Sequence, residues 1–428
     1  MNIRSSKDVL ENGSTLAEGS LSADGSRSAE GSRSAEGSTL AEGSMFADDS
    51  NSVKGLDDRA IMQRVLDLAA LGANTTHPNP MVGCIIVNQG QIVGHAYHQT
   101  AGELHAERLA LKMAGDQARG ATAYVSLEPC CHQGRTPPCT DGLIDAGVSK
   151  VIAAMRDPNP LVEGGGFELL ASAGIEVESG VLEQQAHWLN RGFVNRMRNK
   201  RPWVILKSAA TLDGRTAAFD GQSKWITGDQ ARQEVQSLRA KSSAIITGVG
   251  TVLADDPNLN VRIDGCVRQP LRVVLDSQLR TPLDARIIGA DHKLMIFTLS
   301  EDSAKIAALV ELGVEVIQQV DDGSARLDLL KVLEELSLWD CNELLVEAGQ
   351  TLSGAFLELG LVDEMVLFYA GSLLGQQGKS MFQFNDAVEF ENRAEFRVHD
   401  VTMVGKDVRV SVINNDSLAA LTMDTGEV

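Results

Sequence analysis

No apolar run in these 428 residues approaches the roughly 18–20 that a membrane-crossing helix needs. The first residues hold no apolar segment of the kind found in a secretory signal. They are rich in serine, yet they carry Glu11, Glu18, Asp24 and Glu30, acids that a transit peptide avoids. Positive charge is in deficit: 38 Lys and Arg stand against 58 Asp and Glu, a formal charge of −20. Such a balance argues against a nucleic-acid partner, whose phosphates must be met by cations. It still allows a local basic pocket for a small phosphorylated ligand. Cysteine is scarce, and six in a chain this long do not make a disulfide framework. Four of them lie between Cys84 and Cys139, which points to metal or catalysis in a reducing, cytoplasmic setting. Also missing is a Gly-x-Gly-x-x-Gly turn after a strand. The nearest text is Gly248-Val249-Gly250-Thr251, so a Rossmann cofactor domain is not expected.

What is present supports two ordered domains: 43% of residues are hydrophobic and 22% charged. Residues 1–55 stand apart. The segment GSRSAEGSRSAEGS repeats every six residues, and STLAEGS occurs at 14–20 and again at 38–44. A Gly/Ser/Ala/Glu tract buries too little to offset the entropy of ordering, so a disordered extension is expected. From residue 56 the pattern changes. Ile61, Met62, Val65, Leu66 and Ala69 recur at helical spacing. Strands are expected at 82–87 and 92–95 as a hairpin, then a helix over 105–114. A strand at 121–127, a helix at 140–146 and a strand at 150–154 follow. This alternation predicts an α/β layer structure over 56–199. A second α/β domain is expected over 200–417, with strands at 203–207, 243–247, 271–275, 293–297, 314–317, 343–346, 364–369 and 407–412. Its helices are expected at 302–312, 327–336 and 352–359, and a short tail at 418–428.

The strongest chemical signal is His105-Ala106-Glu107, followed by Glu128-Pro129-Cys130 and then Pro138-Cys139. One imidazole and two thiolates leave the fourth tetrahedral position of a zinc ion open. Zinc lowers the pKa of water there, and Glu107, beside the metal and not on it, can move the proton to a departing nitrogen. His-x-Glu with two Pro-Cys pairs is the signature of zinc nucleobase deaminases, here with a longer loop between the cysteines. Cys131 and His132 compete as ligands on spacing alone; Cys130 is favoured because it follows the Glu-Pro pair. Cys84, in an apolar strand, reads as core.

Taken with these motifs, His77-Pro78-Asn79-Pro80, Gly102-Glu103-Leu104-His105-Ala106-Glu107 and Gly134-Arg135-Thr136-Pro137-Pro138-Cys139 resemble the bifunctional riboflavin-biosynthesis deaminase–reductases. The likeness continues through Asp157-Pro158-Asn159-Pro160, Leu212-Asp213-Gly214-Arg215-Thr216, Trp225-Ile226-Thr227, Leu253-Ala254-Asp255-Asp256-Pro257 and Val346-Glu347-Ala348-Gly349. It spans about residues 56–415, with two departures: Cys131 stands where serine is usual, and the N-terminal repeat is extra.

The resemblance implies an N-terminal cytidine-deaminase-like α/β/α sandwich and a C-terminal dihydrofolate-reductase-like α/β domain. It makes His105, Cys130 and Cys139 the ligands of one zinc and Glu107 the proton shuttle. Asn79, His98, His132 and Arg135 would hold the pyrimidine and its ribose phosphate. In the second domain it implies NADPH, with Ala209, Trp225, Thr251, Asp255 and Ser277 on the cofactor side. The turn and helix start of Gly349, Gln350, Thr351, Leu352, Ser353, Gly354 and Ala355 join them, since free N–H groups at a helix start suit a pyrophosphate. Ser223, Arg239, Leu259, Arg262 and Glu347 match the substrate side, and Lys207 is placed to protonate the ribose oxygen. The implied substrate is a phosphorylated pyrimidine, first deaminated and then reduced in its ribosyl chain. A homo-oligomer is expected. The rival reading, a deaminase of tRNA or single-stranded DNA, is disfavoured by the acidic charge and the second domain.

Overall fold

A computed structural model describes residues 51–133, 137–160, 162–289 and 293–422. The expected N-terminal extension lies outside them up to residue 50. From there the chain already belongs to the first domain, because Ser52 bridges Gln91 and Val53 is buried.

The first domain runs α1 (Asp58–Ala70), β1 (Gly83–Asn88), β2 (Gln91–Tyr97), α2 (Ala106–Ala114), β3 (Thr122–Val125), α3 (Cys139–Ala146), β4 (Lys150–Ala153), α4 (Gly165–Ser172) and β5 (Glu176–Ser179). Asp57 opens α1 by accepting from the Ala60 amide at 2.8 Å, which satisfies one of the amides a helix start leaves over. Its apolar stripe is the one read from the sequence: Ile61, Met62, Val65, Leu66 and Ala69 are all buried. The sheet order is β2-β1-β3-β4-β5, with β1 antiparallel to β2 and β3 and the remaining pairs parallel. Side chains alternate between two apolar layers. Ile85, Tyr124 and Ile152 face the α1 side, while Cys84, Ile86, Val125 and Val151 face α2 and α3. The result is an α/β/α sandwich.

Two helices without an expected counterpart, α5 (Glu183–Leu189) and α6 (Arg191–Asn199), lead to the second domain. It contains β6 (Trp203–Thr211), β7 (Arg215–Ala217), α7 (Asp229–Lys241), β8 (Ala244–Gly248), α8 (Val249–Asp255), β9 (Leu271–Leu275), β10 (Leu294–Thr298), α9 (Ser303–Glu311), β11 (Val314–Gln318), α10 (Leu329–Leu338), β12 (Glu343–Val346), α11 (Gln350–Glu358), β13 (Glu364–Ala370), β14 (Lys379–Ser380), β15 (Phe396–Val404), β16 (Asp407–Asn414) and α12 (Asn415–Thr422). Nine strands form one sheet in the order β11-β10-β9-β8-β12-β6-β13-β16-β15. It is parallel from β11 to β13, and the β15–β16 hairpin completes it antiparallel. Helix α12 occupies part of the expected tail: Leu421 is buried, and Arg198 donates to the Ala420 and Leu421 carbonyls at 3.3 Å.

The two domains share apolar contacts. One buried cluster runs from Met62 and Val65 through Leu182, Ala186 and Val194 to Trp203 and Ile205. Arg191 spans the same boundary, pairing with Glu343 at 3.1 Å and Glu364 at 3.2 Å.

Candidate active sites

His105 is the N-cap of α2, and Cys139 is the first residue of α3. Two helix starts therefore converge beside the loop that follows β3. His105, Cys130 and Cys139 place their ligand atoms within 4.8 Å of one another. The imidazole Nδ1 is 3.3 Å from the Cys139 sulfur and 3.5 Å from that of Cys130, so this nitrogen faces the sulfurs. A hydrogen bond with Cys139, opposed by burial and aided by His105, holds the Cys130 thiol well below the usual thiol range. The same contact pushes Cys139 up. Two sulfurs and one imidazole suit zinc with one position left for water or substrate. Cys131 is not in the group; its sulfur lies toward Gly165. Cys84 is fully buried and belongs to the core.

Glu107 is 3% exposed, and its Oε2 has no hydrogen-bond partner among the described residues. Burial raises its pKa, the charge of Cys130 adds to that, and His105 opposes. An orphaned carboxylate oxygen beside a metal-ligand group marks a place where a water or a substrate atom belongs.

Asn79 and His98 come together at the same site. Asn79 Nδ2 lies 3.1 Å from His98 Nε2, while His98 Nδ1 lies 3.2 Å from the Leu104 carbonyl. The carbonyl can only accept, so Nδ1 carries the proton and Nε2 accepts from Asn79. The His98 ring stands edge-on to His105 with centroids 5.4 Å apart. His132 is exposed, and Arg135 lies outside the described residues.

The sequence alone assigns no role to the Glu128 side chain. Its carboxylate accepts from the amides of Asp157, Gly164, Gly166 and Phe167 at 3.0–3.3 Å, capping α4 and fixing the loop after β3 that carries Cys130. Only the Glu-Pro-Cys motif hinted at it. Gly166 completes the fit, since a Cβ there would stand 2.1 Å from the Pro129 carbonyl oxygen. Gly166→Ala should therefore displace Pro129 and Cys130. The expected outcome is at least ~10-fold weaker zinc retention against a chelator, the scale of lost support behind a ligand.

The second site forms beyond the ends of the central parallel strands. Glu347, just after β12, accepts from Arg239 on α7 at 2.6 and 3.1 Å and from Lys207 on β6 at 3.2 Å. Burial alone would raise this carboxyl, but the two cations more than offset it and hold it at about 2. Arg239 also donates from Nη1 to the Asn260 carbonyl at 3.0 Å, so it braces the loop holding Leu259. Arg262 is exposed. Lys224 pairs with Asp255 at 3.5 Å, bringing the segment of Ser223 and Trp225 to α8, which carries Thr251. Trp225 is 70% exposed and covered on one face by Arg232, an open aromatic surface in place of core. A Cβ on Gly248 would meet Leu352 at 3.6 Å, so the starts of α8 and α11 are neighbours. Gly349, Gln350 and Thr351 begin that second helix, with Ala355 one turn on. Ser353 and Gly354 face inward instead: the Gln383 carbonyl lies 1.8 Å from where a Gly354 Cβ would be. Ala209 lies on β6, and Ser277 follows β9 with its carbonyl accepting from Leu299 at 3.1 Å.

Comparison with known proteins agrees with this two-site layout. Residues 56–155 match the cytidine and deoxycytidylate deaminase zinc-binding region, and residues 202–410 match the RibD C-terminal domain. The riboflavin biosynthesis protein RibD of Escherichia coli strain K12 is 44% identical over 370 residues, 84% of this chain and 100% of that protein. Its Haemophilus influenzae counterpart is 44% identical over 372 residues, 83% of this chain and 96% of that protein. Among solved structures, Acinetobacter baumannii RibD superimposes with a TM-score of 0.78 at 45% identity, covering 83% of this chain and 98% of that one. The deaminase/reductase from Thermotoga maritima gives 0.74 at 35% identity, with the same coverage. The first domain is thus a cytidine-deaminase-like sandwich and the second a RibD-type reductase domain, and the chain belongs to the RibD family of riboflavin-biosynthesis proteins.

Proposed function

We propose the following division of labour for a bifunctional deaminase–reductase of riboflavin biosynthesis. The first domain hydrolyses the amino group of 2,5-diamino-6-ribosylamino-4(3H)-pyrimidinone 5′-phosphate. The second reduces the ribosyl chain of the product to ribityl, giving 5-amino-6-ribitylamino-uracil 5′-phosphate. The observation that carries this reading is one chain holding both a His105–Cys130–Cys139 group beside Glu107 and the Lys207–Glu347–Arg239 cluster.

When bound by His105, Cys130 and Cys139, zinc supplies Lewis-acid activation of water. Glu107 accepts the proton of the attacking water and returns it to the departing amino nitrogen; its raised pKa suits it to carry a proton both ways. Asn79, oriented by His98, meets the edge of the pyrimidine, and His132 and Arg135 serve its ribose phosphate. When bound in the second domain, NADPH would supply the hydride for C1′. Lys207, held by Glu347, protonates the ribose oxygen as the ring opens. Ser223, Leu259 and Arg262 line the substrate side. Ala209, Trp225, Thr251, Asp255, Ser277 and, from the 349–355 turn, Gly349, Gln350, Thr351, Leu352 and Ala355 line the cofactor side, while Ser353 and Gly354 pack inward behind them. Supplying the diaminopyrimidine phosphate with and without NADPH, and identifying products by mass, tests the whole reading. Failure to release ammonia without NADPH would overturn it.

The ion cluster also sets a pH dependence. Glu347 has its folded-state pKa depressed from 4.5 to about 2. Its contribution to stability is therefore fully present above pH ~4.5 and is lost as pH falls toward 2. The stability difference between wild type and Glu347→Gln should shrink across that window in denaturant titrations. A difference that stays constant would exclude the linkage.

For the assembly, we read a homo-oligomer in the cytoplasm. Val398, Val401 and Met403 are 60–65% exposed on β15, the outer strand of the large sheet, which offers an apolar edge to a second copy. No helix among the described residues is long and apolar enough to cross a membrane. Light scattering on the purified chain tests the oligomer.

A further inference from the structure

We propose that Ser243 and Asn342, both in the reductase domain, are positioning residues for the deaminase: they hold the 77–80 loop so that Asn79 presents its carboxamide to the pyrimidine. The inference rests on the reading of Asn79 as a pyrimidine-binding residue.

The loop reaches across the domain boundary with both of its first two residues. Ser243 Oγ accepts from the amides of Asn342 at 3.0 Å and Glu343 at 3.1 Å. With its lone pairs engaged by those amides, its proton serves His77 Nδ1, 3.2 Å away, with the Cys341 sulfur as a neighbouring acceptor. His77 is thus a neutral imidazole accepting through Nδ1. Burial, with Arg268 and Arg196 nearby, keeps it so by lowering its pKa to about 3. Beside it, Asn342 Nδ2 donates to the Pro78 carbonyl at 3.0 Å. The Asn342 amide cannot be turned around, because its Oδ1 accepts from Arg196 Nε at 2.7 Å. Two hydrogen bonds from the second domain therefore fix the residues immediately before Asn79.

On the far side of the loop, Asn79 donates one N–H to His98, whose ring stands on the zinc ligand His105. The Asn79 oxygen and second N–H remain for a ring edge. Asn190 closes the loop's other end by bonding both the amide and the carbonyl of Met81, at 2.8 and 2.9 Å. A shift of His77 or Pro78 thus passes to Asn79 with little freedom to absorb it.

Position in the second sheet separates this brace from the hydride site. Ser243 precedes β8 and Asn342 precedes β12, whereas Thr251 and Glu347 lie past the other ends of those strands. Four or five residues of strand put ~13–17 Å between the two levels. A change at the brace therefore reads out on deamination alone.

The test uses the full chain, zinc-loaded, with the diaminopyrimidine phosphate as substrate. Asn342→Asp keeps an acceptor for Arg196 but loses the donor to Pro78 and sets an oxygen against its carbonyl. Ser243→Ala removes the donor to His77, and Asn79→Ala serves as the reference. The expected result for Asn342→Asp is a KM for deamination raised about tenfold, the scale of one lost hydrogen bond. Its kcat, zinc content and NADPH oxidation of supplied deaminated intermediate should stay at wild-type values. A raised KM in Asn79→Ala with an unchanged KM in Asn342→Asp would overturn the brace and leave the reading of Asn79 standing. An unchanged KM in Asn79→Ala would overturn both. Loss of deamination and NADPH oxidation together would show a merely structural contact, and the proposal would fail.

Discussion

Glu107→Gln is expected to keep its zinc and to lose deamination by at least ~100-fold, the low end for removing a general acid–base group. The amide matches the carboxylate in shape, so α2 and its cap His105 should be undisturbed. What it lacks is the ability to take a proton from water and give it back. Glu107 is almost fully enclosed, and bulk solvent is poorly placed to substitute for it. The companion variants separate ligand from neighbour. Cys130→Ser should lose both metal and activity, because its sulfur faces His105 and Cys139, whereas Cys131→Ser should keep both. Metal analysis and ammonia release on the three proteins decide the matter. Near-normal turnover of Glu107→Gln would sink the proton-shuttle role, and metal loss from Cys131→Ser alone would reverse the ligand assignment.

Lys207→Ala should slow NADPH oxidation by ~100-fold or more while leaving ammonia release intact, so that the deaminated aminouracil phosphate accumulates. The two sites lie in separate sheets, and local polar changes at distant sites rarely couple. Removing Lys207 leaves Glu347 with its bidentate partner Arg239, so the carboxylate stays paired. Glu347→Ala is a harsher change. It strands two cations whose side chains are 16% and 11% exposed, and breaking such a pair costs about 3–5 kcal/mol. Lys207→Ala is therefore the cleaner test, and Glu347→Ala should show both lost reduction and a lower Tm. The reciprocal result is that Glu107→Gln still oxidises NADPH when given the deaminated intermediate. If each variant, folded and zinc-loaded, lost both activities, one composite site would replace the two.

The two sites were unequally legible before the structure. Three motifs within 35 residues carry the zinc group, and their residue types have few other uses together. The second site is assembled from Lys207, Arg239 and Glu347, single charged residues far apart in the chain, and only family likeness picked them out. Secondary structure divides the same way. The α1 stripe was plain in the sequence because five of its apolar residues are buried on one face. Helix α7 had no expected counterpart, since it buries only Ala231, Val235, Ala240 and the charged Arg239. Strand β15 likewise has no expected counterpart because, as an outer strand, it shows most of its residues to solvent.

The sequence by itself pointed to a metal group at His105, Cys130 and Cys139 with Glu107 beside it, because such a set consists of residue types at short spacing. It also determined two α/β units, because apolar periodicity records which faces are buried. Only the tertiary structure decided that Cys130 and not Cys131 faces His105, since adjacent residues differ in direction and not in spacing. It alone placed the Glu128 carboxylate on four amides of another segment and set Ser243 and Asn342 against the His77–Pro78 step. Those contacts join residues from 29 to 264 positions apart. Hydrogen bonds of that reach follow from how sheets and helices pack, and no local pattern of residues encodes them.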